Sequence, residues 1–375
     1  MTSCFTGVRG VVMGVVVMAS IVTACFPRLK QHLNFIQDDK VRKFPCPDDD
    51  EISPCTCTYN ITIDLRCSNL TSEEELTSAF QASFPINRVN SFVLEYSNIS
   101  ELSDDVFGDL AFGSVRLDSN NLTTVGSDVF KNSYNFMEEF YMYEEDSDVM
   151  YDWPLENIKS FTQMKTIHVS GPYDTVSVLT SQTLTSATLS LYYLTSLADD
   201  MFSGAPNLVN IGLTNTPLKT IPRNIFLALK NLENVEISDA NIETLAESSF
   251  AFDAENLTYV GLSGNNIKTI SVGAFSGIYE EVQVNLSNNL LTTVDKDVYY
   301  PVIEELTDGF FDLSDNPLSC GCDLFWLASL PEEERNRTRG VVSSCNIGSN
   351  IELDTLIDFL KYQCSVTTVT PPPED

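Results

Sequence analysis

From Leu94 to Leu313 a leucine, isoleucine, valine or methionine returns at a near-constant interval. The positions are Leu94, Leu117, Met142, Val169, Leu189, Leu213, Ile237, Leu262, Leu286 and Leu313, spaced by 23, 25, 27, 20, 24, 24, 25, 24 and 27 residues. Thirteen residues after six of them stands a phenylalanine: Phe107, Phe130, Phe202, Phe226, Phe250 and Phe275. After Leu286 the same place holds Tyr299. A helical period of 3.6 residues does not generate a fixed offset of thirteen in seven units, so a chain of amphipathic helices is excluded.

The clearest unit runs Leu257, Val260, Leu262, Asn265, Ile267, Ile270 and then Phe275. Val260 and Leu262 alternate as in a short strand, with Gly261 turned to the other side. The asparagine amide then serves the backbone of neighbouring coils, and the late Phe fills the far side of its coil. A period near 24 with this register predicts an α/β leucine-rich repeat solenoid: about ten coils, a curved parallel sheet on the concave face, and a cap at each end. Such a fold presents a surface rather than a pocket, which points to binding.

The asparagine place is filled unevenly. It holds Ser97, Asn120, Glu145, Pro172, Tyr192, Thr216, Ala240, Asn265, Asn289 and Asn316. Thr216 replaces an amide in part, whereas Pro172 and Ala240 do not. The middle coils are therefore expected to be irregular, with a local bend, and the repeat reads as broken between Phe130 and Thr183.

The first residues predict a secretory route. Arg9 precedes an apolar stretch from Val11 to Phe26, closed by Val22-Thr23-Ala24, which is the layout of a signal peptide over residues 1–25. The stretch is short for a membrane span, and an uncleaved anchor is the alternative. Residues 26–45 form a lead-in or propeptide carrying Arg28, Lys30, Lys40, Arg42 and Lys43. Beyond them come a cysteine-rich N-terminal cap over 46–84, repeats over 85–318, a C-terminal cap over 319–364 and a Thr/Pro tail over 365–375. Eight cysteines fall in two groups of four, Cys46, Cys55, Cys57 and Cys67 before the repeats and Cys320, Cys322, Cys345 and Cys364 after them. Each group allows three pairings, which spacing does not resolve. Zinc is the rival use of such clusters, but a secretory leader favours disulfides. Seven Asn-x-Ser/Thr sequons, at Asn60, Asn69, Asn98, Asn121, Asn256, Asn285 and Asn336, agree with that route.

The formal net charge is −32. Nucleic acid is thereby excluded as a partner, and a basic or mixed protein surface is favoured. Expected strand-face acids include Glu95, Asp118, Glu144, Glu236, Asp239, Asp312 and Asp315, set among small residues such as Gly212 and Gly261. Residues 134–153 combine Tyr134, Phe136, Phe140, Tyr141, Tyr143, Tyr151 and Trp153 with seven acids, a composition that suits a protein-binding hot spot. The candidate partner contacts are Tyr141, Tyr143, Glu144, His168, Glu236, Asp239 and Asp312. No catalytic residue, metal or cofactor is expected. The two histidines, His32 and His168, lie apart, and the chain has no GxSxG elbow, HExxH, CxxC or phosphate loop.

Two motif sets carry a resemblance. CGCDLFWLASLP (320–331) and CPDDDEISPCTCTYNITIDLRC (46–67) resemble the caps of extracellular leucine-rich repeat proteins. That resemblance implies pairing of first with third and second with fourth cysteine: Cys46 with Cys57, Cys55 with Cys67, Cys320 with Cys345, and Cys322 with Cys364. More narrowly, CPDDDEISPCTC, LTSEEELTSAFQASFP and FVLEYSNISELSDDVFGDLAFGSVRL resemble the Oplophorus-luciferin 2-monooxygenase non-catalytic subunit family of crustaceans. This implies a secreted, non-catalytic binding subunit whose partner is a small catalytic luciferase. The alternative is an extracellular recognition protein of immunity, adhesion or matrix without that partner.

Overall fold

In a computed structural model, which describes residues 45–143, 155–345 and 353–365, one sheet of thirteen strands runs the length of the molecule. Its order follows the chain: β1 (Thr56–Asn60), β2 (Thr62–Ser68), β3 (Arg88–Glu95), β4 (Ala111–Asp118), β5 (Glu139–Tyr143), β6 (Thr166–Gly171), β7 (Ser186–Leu191), β8 (Asn210–Leu213), β9 (Asn234–Glu236), β10 (Tyr259–Gly261), β11 (Gln283–Asn285), β12 (Phe310–Asp312) and β13 (Thr338–Arg339). Only β1 and β2 are antiparallel; every later pairing is parallel. Each coil therefore contributes one strand and returns over the convex side, as a leucine-rich repeat requires.

The core follows the period. All ten inner-strand residues from Leu94 to Leu313 are completely buried. The phenylalanines thirteen residues on stack along the convex side, with centroids 5.5 Å apart for Phe107–Phe130, 6.1 Å for Phe202–Phe226, 5.7 Å for Phe226–Phe250 and 5.8 Å for Phe250–Phe275. Neighbouring coils thus share their rings, and stability accumulates interface by interface.

The asparagines bind one coil to the next. Asn265 Nδ2 donates to the Ile237 carbonyl of the preceding coil at 2.8 Å, and its Oδ1 accepts from the Ile242 amide at 3.3 Å. Asn289 and Asn316 repeat this on the Leu262 and Leu286 carbonyls, and Asn120 on that of Leu94.

The middle coils depart from the sequence expectation. Strand pairing is unbroken there: β6 and β7 pair over six residues, more than any strand pair after them. The missing amides are replaced in other ways. Thr216 Oγ1 accepts from the Leu191 amide at 2.9 Å and lies 3.3 Å from the Leu189 carbonyl. The Tyr192 and Tyr193 amides donate directly to the carbonyls of Gly171 and Tyr173. A parallel ladder needs backbone groups, not a particular side chain, so it continues where the motif lapses.

Both ends are covered. Helix α1 (Glu73–Phe80) brings Leu76 and Phe80 under the first coils, and disulfides join Cys46 to Cys57 and Cys55 to Cys67. At the other end disulfides join Cys320 to Cys345 and Cys322 to Cys364, the latter on helix α3 (Leu353–Ser365). Trp326 donates from Nε1 to the Val294 carbonyl at 2.9 Å. Among the described residues no helix is long and apolar enough to cross a membrane.

Helix α2 (Lys296–Ile303) carries Tyr299 in the aromatic spine, against Phe311 at 5.2 Å. Its hydroxyl is buried and finds no hydrogen-bond partner among the described residues, and burial raises its pKa well above the ordinary phenol value. Tyr299→Phe is expected to stabilise the fold by about 1 kcal/mol in urea denaturation, because an unpaired buried hydroxyl carries a desolvation cost. The sign with pH follows. Above about pH 10 the unfolded phenol ionises while the folded one stays protonated, so the native chain loses stability that the variant keeps. A variant less stable than the parent at pH 7 would contradict this.

Candidate functional site

Along each strand the residues between the buried ones face the open concave side. Parallel pairing in register turns them into rows. One row reads Arg66, Val93, Arg116, Tyr141, His168, Thr188, Gly212, Glu236, Gly261, Asn285, Asp312 and Arg339. Beside it Glu95, Asp118, Tyr143, Ser170 and Ser190 form a second row. Residues more than twenty apart in sequence thus lie one strand spacing apart.

An aromatic and cationic cluster stands on β4 to β6. The Arg116 guanidinium lies 4.7 Å from the Tyr143 ring centroid and forms an ion pair with Asp118 at 2.9 Å. Tyr143 lies 4.7 Å from the His168 ring and stacks on Tyr141 at 6.4 Å. Arg66 holds Glu95 at 2.6 Å at the edge of the cluster. Burial first, and then the Arg116 charge, hold the His168 pKa below the usual histidine value, so the ring is neutral near pH 7. Burial raises the phenols of Tyr141 and Tyr143. The result is a half-buried platform with ordered rings and one strong cation, the residue types that dominate protein interfaces.

Further along, glycines create depth. Glu236 sits between Gly212 and Gly261 in its row, and a Cβ at Gly261 would come within 2.0 Å of the Glu236 carboxylate. Tyr259, half-buried beside it, receives the Asn285 amide at 3.4 Å. At the far end Arg339 stacks 3.4 Å over the Phe310 ring, next to Asp312.

The expected contacts divide accordingly. Tyr141, Tyr143, His168, Glu236 and Asp312 all lie on the concave sheet. Glu144, Tyr151 and Trp153 fall outside the described residues. Asp239 and Asp315 are not on the strand face: both follow a strand in left-handed conformation, with φ of 52° and 56°. They belong to a corner column in which Tyr96, Ser119, Asn215, Gly264 and Asn288 also have positive φ. Gly, Asn and Asp occupy that region at least cost, so their recurrence two residues after the inner-strand position marks the turn; acid content alone misplaced Asp239 and Asp315. Of the aromatic stretch, Phe140 is core, and Tyr134 packs against Phe161 at 5.0 Å, away from the concave rows. The Arg116 contribution was legible only as part of a strand: its acid partner Asp118 stands two residues on, but its ring partner Tyr143 comes from the next coil.

Six sequon asparagines, Asn60, Asn69, Asn98, Asn121, Asn256 and Asn336, are exposed. Asn285 is half-buried on β11, where its Oδ1 also accepts from the Ser287 amide at 3.0 Å.

The chain is similar to several known proteins. The Oplophorus-luciferin 2-monooxygenase non-catalytic subunit of Oplophorus gracilirostris is 26% identical over 294 residues, covering 76% of this chain and 80% of that protein. Tsukushi of Xenopus tropicalis is 30% identical over 118 residues, 30% of this chain and 33% of that one. Among solved structures, a chain of the TLR13–ssRNA13 complex superposes with a TM-score of 0.48 at 20% identity, over 68% of this chain and 32% of that chain. The family model for the BspA type leucine-rich repeat region matches in six copies over residues 59–137 and 177–303. The unmatched stretch between them contains β5 and β6, which carry most of the aromatic cluster. Since the matched residues make up more than half of the sequence, the chain belongs to the BspA type leucine-rich repeat family.

Proposed function

We propose that this protein is a secreted, glycosylated, non-catalytic subunit that binds a second protein on its concave sheet, with a small catalytic luciferase as the candidate partner. The observation that carries the reading is the ordered Arg116–Tyr143–His168–Tyr141 platform on the concave sheet. It accords with 26% identity to a protein named as a non-catalytic subunit, over most of both chains. The leader, the paired cysteine clusters and the exposed sequons favour an extracellular setting. The strongly negative chain suits a partner with a basic or mixed surface.

The test is capture of partners from native secretion by the tagged, secreted chain, followed by affinity measurement. A small luciferase-like protein is expected. Tyr143→Ala is expected to weaken its binding about 30-fold, the effect of losing a hot-spot ring of about 2 kcal/mol, while the melting temperature stays near the parent value. Retention of full affinity by Tyr143→Ala would remove the concave cluster from the interface. Capture of a different extracellular protein instead would favour the second reading, a general recognition protein. That reading draws on the 30% identity to Tsukushi and to rabbit decorin, each over less than a third of this chain.

A further inference from the structure

We infer that an N-glycan on Asn256 is seated in a groove at the entering edge of the sheet, against the Tyr279 ring. The groove has a volume of about 610 Å³ and runs along the residues that lead into β9, β10 and β11. Sites that hold small ligands span about 300–1,000 Å³, so the first sugars of a glycan fit within it. Asn256, of the sequon Asn256-Leu257-Thr258, is exposed and is itself part of the wall.

The repeat builds the groove. Leu257 and Val282, which line it, are buried residues of successive coils and give it a fixed floor. Gly277 draws the coils together: its φ is 71°, and a Cβ there would overlap the Phe252 carbonyl oxygen. Two residues on, Tyr279 stands with 54% of its surface exposed. It precedes β11 by four residues and Asn256 precedes β10 by three, so the ring lies one coil beyond the point of attachment. Neighbouring coils are about 4.8 Å apart, which puts the ring within reach of the first sugar. Tyrosine offers an apolar face to sugar C–H groups and a hydroxyl at its wet end.

The polar lining suits a neutral donor of hydrogen bonds. Glu233, Glu255, Glu280 and Glu281 line the groove and are exposed. None has a lysine or arginine within ion-pair distance among the described residues. Ionised carboxylates only accept hydrogen bonds, and sugar hydroxyls and acetamide N–H groups donate them. Attachment at Asn256 makes the contact intramolecular. A short link sets an effective concentration of about millimolar, so contacts too weak to capture a free sugar hold an attached one. A basic peptide would meet the same carboxylates but lacks the link.

This seat rests on the glycosylated reading above, and the experiment separates the two. The full chain is secreted from human cells, and each sequon is scored for occupancy by glycopeptide mass spectrometry. Release by peptide N-glycosidase is then timed site by site on native and on denatured chain. Asn60, at the exposed end of β1, is the reference. The slowing of release by folding is expected to be about tenfold greater at Asn256 than at Asn60, the population ratio that contacts of ordinary strength set. Tyr279→Ala removes most of that difference and Tyr279→Phe keeps it, with the melting temperature unchanged in both because the ring is outside the core. Asn256 bare while other sequons are occupied, equal slowing at the two sites, or a difference that survives Tyr279→Ala would each overturn the seat and leave the glycosylated reading standing. A secreted chain with no glycan at any sequon would overturn both.

Discussion

Phe226→Ala lowers the unfolding free energy by about 3–5 kcal/mol, the range for truncating a large buried ring. Phe226 is completely buried and touches Phe202 at 6.1 Å, Phe250 at 5.7 Å and Phe252 at 5.6 Å. The variant loses the transfer energy of the ring and also opens a void shared by three coils. In a solenoid this damage is local but consequential, because each coil is held only by its neighbours and a weak interface in mid-stack lets the two halves unfold separately. Urea denaturation gives the size, and hydrogen exchange gives the place: protection should fall first around β8 and β9. Phe226→Leu, which keeps most of the volume, should cost well under half as much. A loss below about 1 kcal/mol for the alanine variant would show that the spine collapses around the gap and does not hold the coils apart.

Replacing Cys322 and Cys364 together by serine is expected to cost about 4 kcal/mol. The bond closes a sequence separation of 42 residues, and the loop-entropy relation gives about that value for such a ring. It ties the turn after the last coil to α3, whose Leu356, Ile357 and Leu360 are buried over the end of the stack along with Leu324. Freed of that tie, the cap exposes the apolar edge of the final coil, and the secreted yield should fall along with the thermal midpoint. Unchanged unfolding in the double variant would mean that packing of α3 by itself holds the cap. The N-terminal cap, with two shorter loops of 11 and 12 residues, should lose less per bond.

How far the fold was readable depends on which interaction each residue serves. Leu94 through Leu313 and the phenylalanines thirteen residues later are core positions in every coil, and burial of apolar side chains is the strongest pattern that a sequence records. Asn265, Asn289 and Asn316 were equally legible, since a buried amide at a fixed place has a single backbone task. The middle coils were not. There Pro172, Tyr192 and Thr216 stand where asparagine was sought, and the ladder persists through backbone pairing that no side chain announces. Asp239 and Asp315 misled for a related reason: charge suggests exposure, yet φ decides the corner, and only the recurrence of Asn, Asp and Gly two residues on reveals it.

The period by itself determined that this chain stacks coils, buries a phenylalanine spine and presents a concave sheet. It could do so because each of those features depends on contacts repeated at one sequence interval. The tertiary structure decided which residues meet on that sheet. Arg116, Tyr143 and His168 come from three different coils, the last two in the stretch where the repeat motif fades, and their contact follows from strand register across neighbouring coils. Register is a property of the assembled ladder, so the cluster that distinguishes this protein exists only once the coils are stacked.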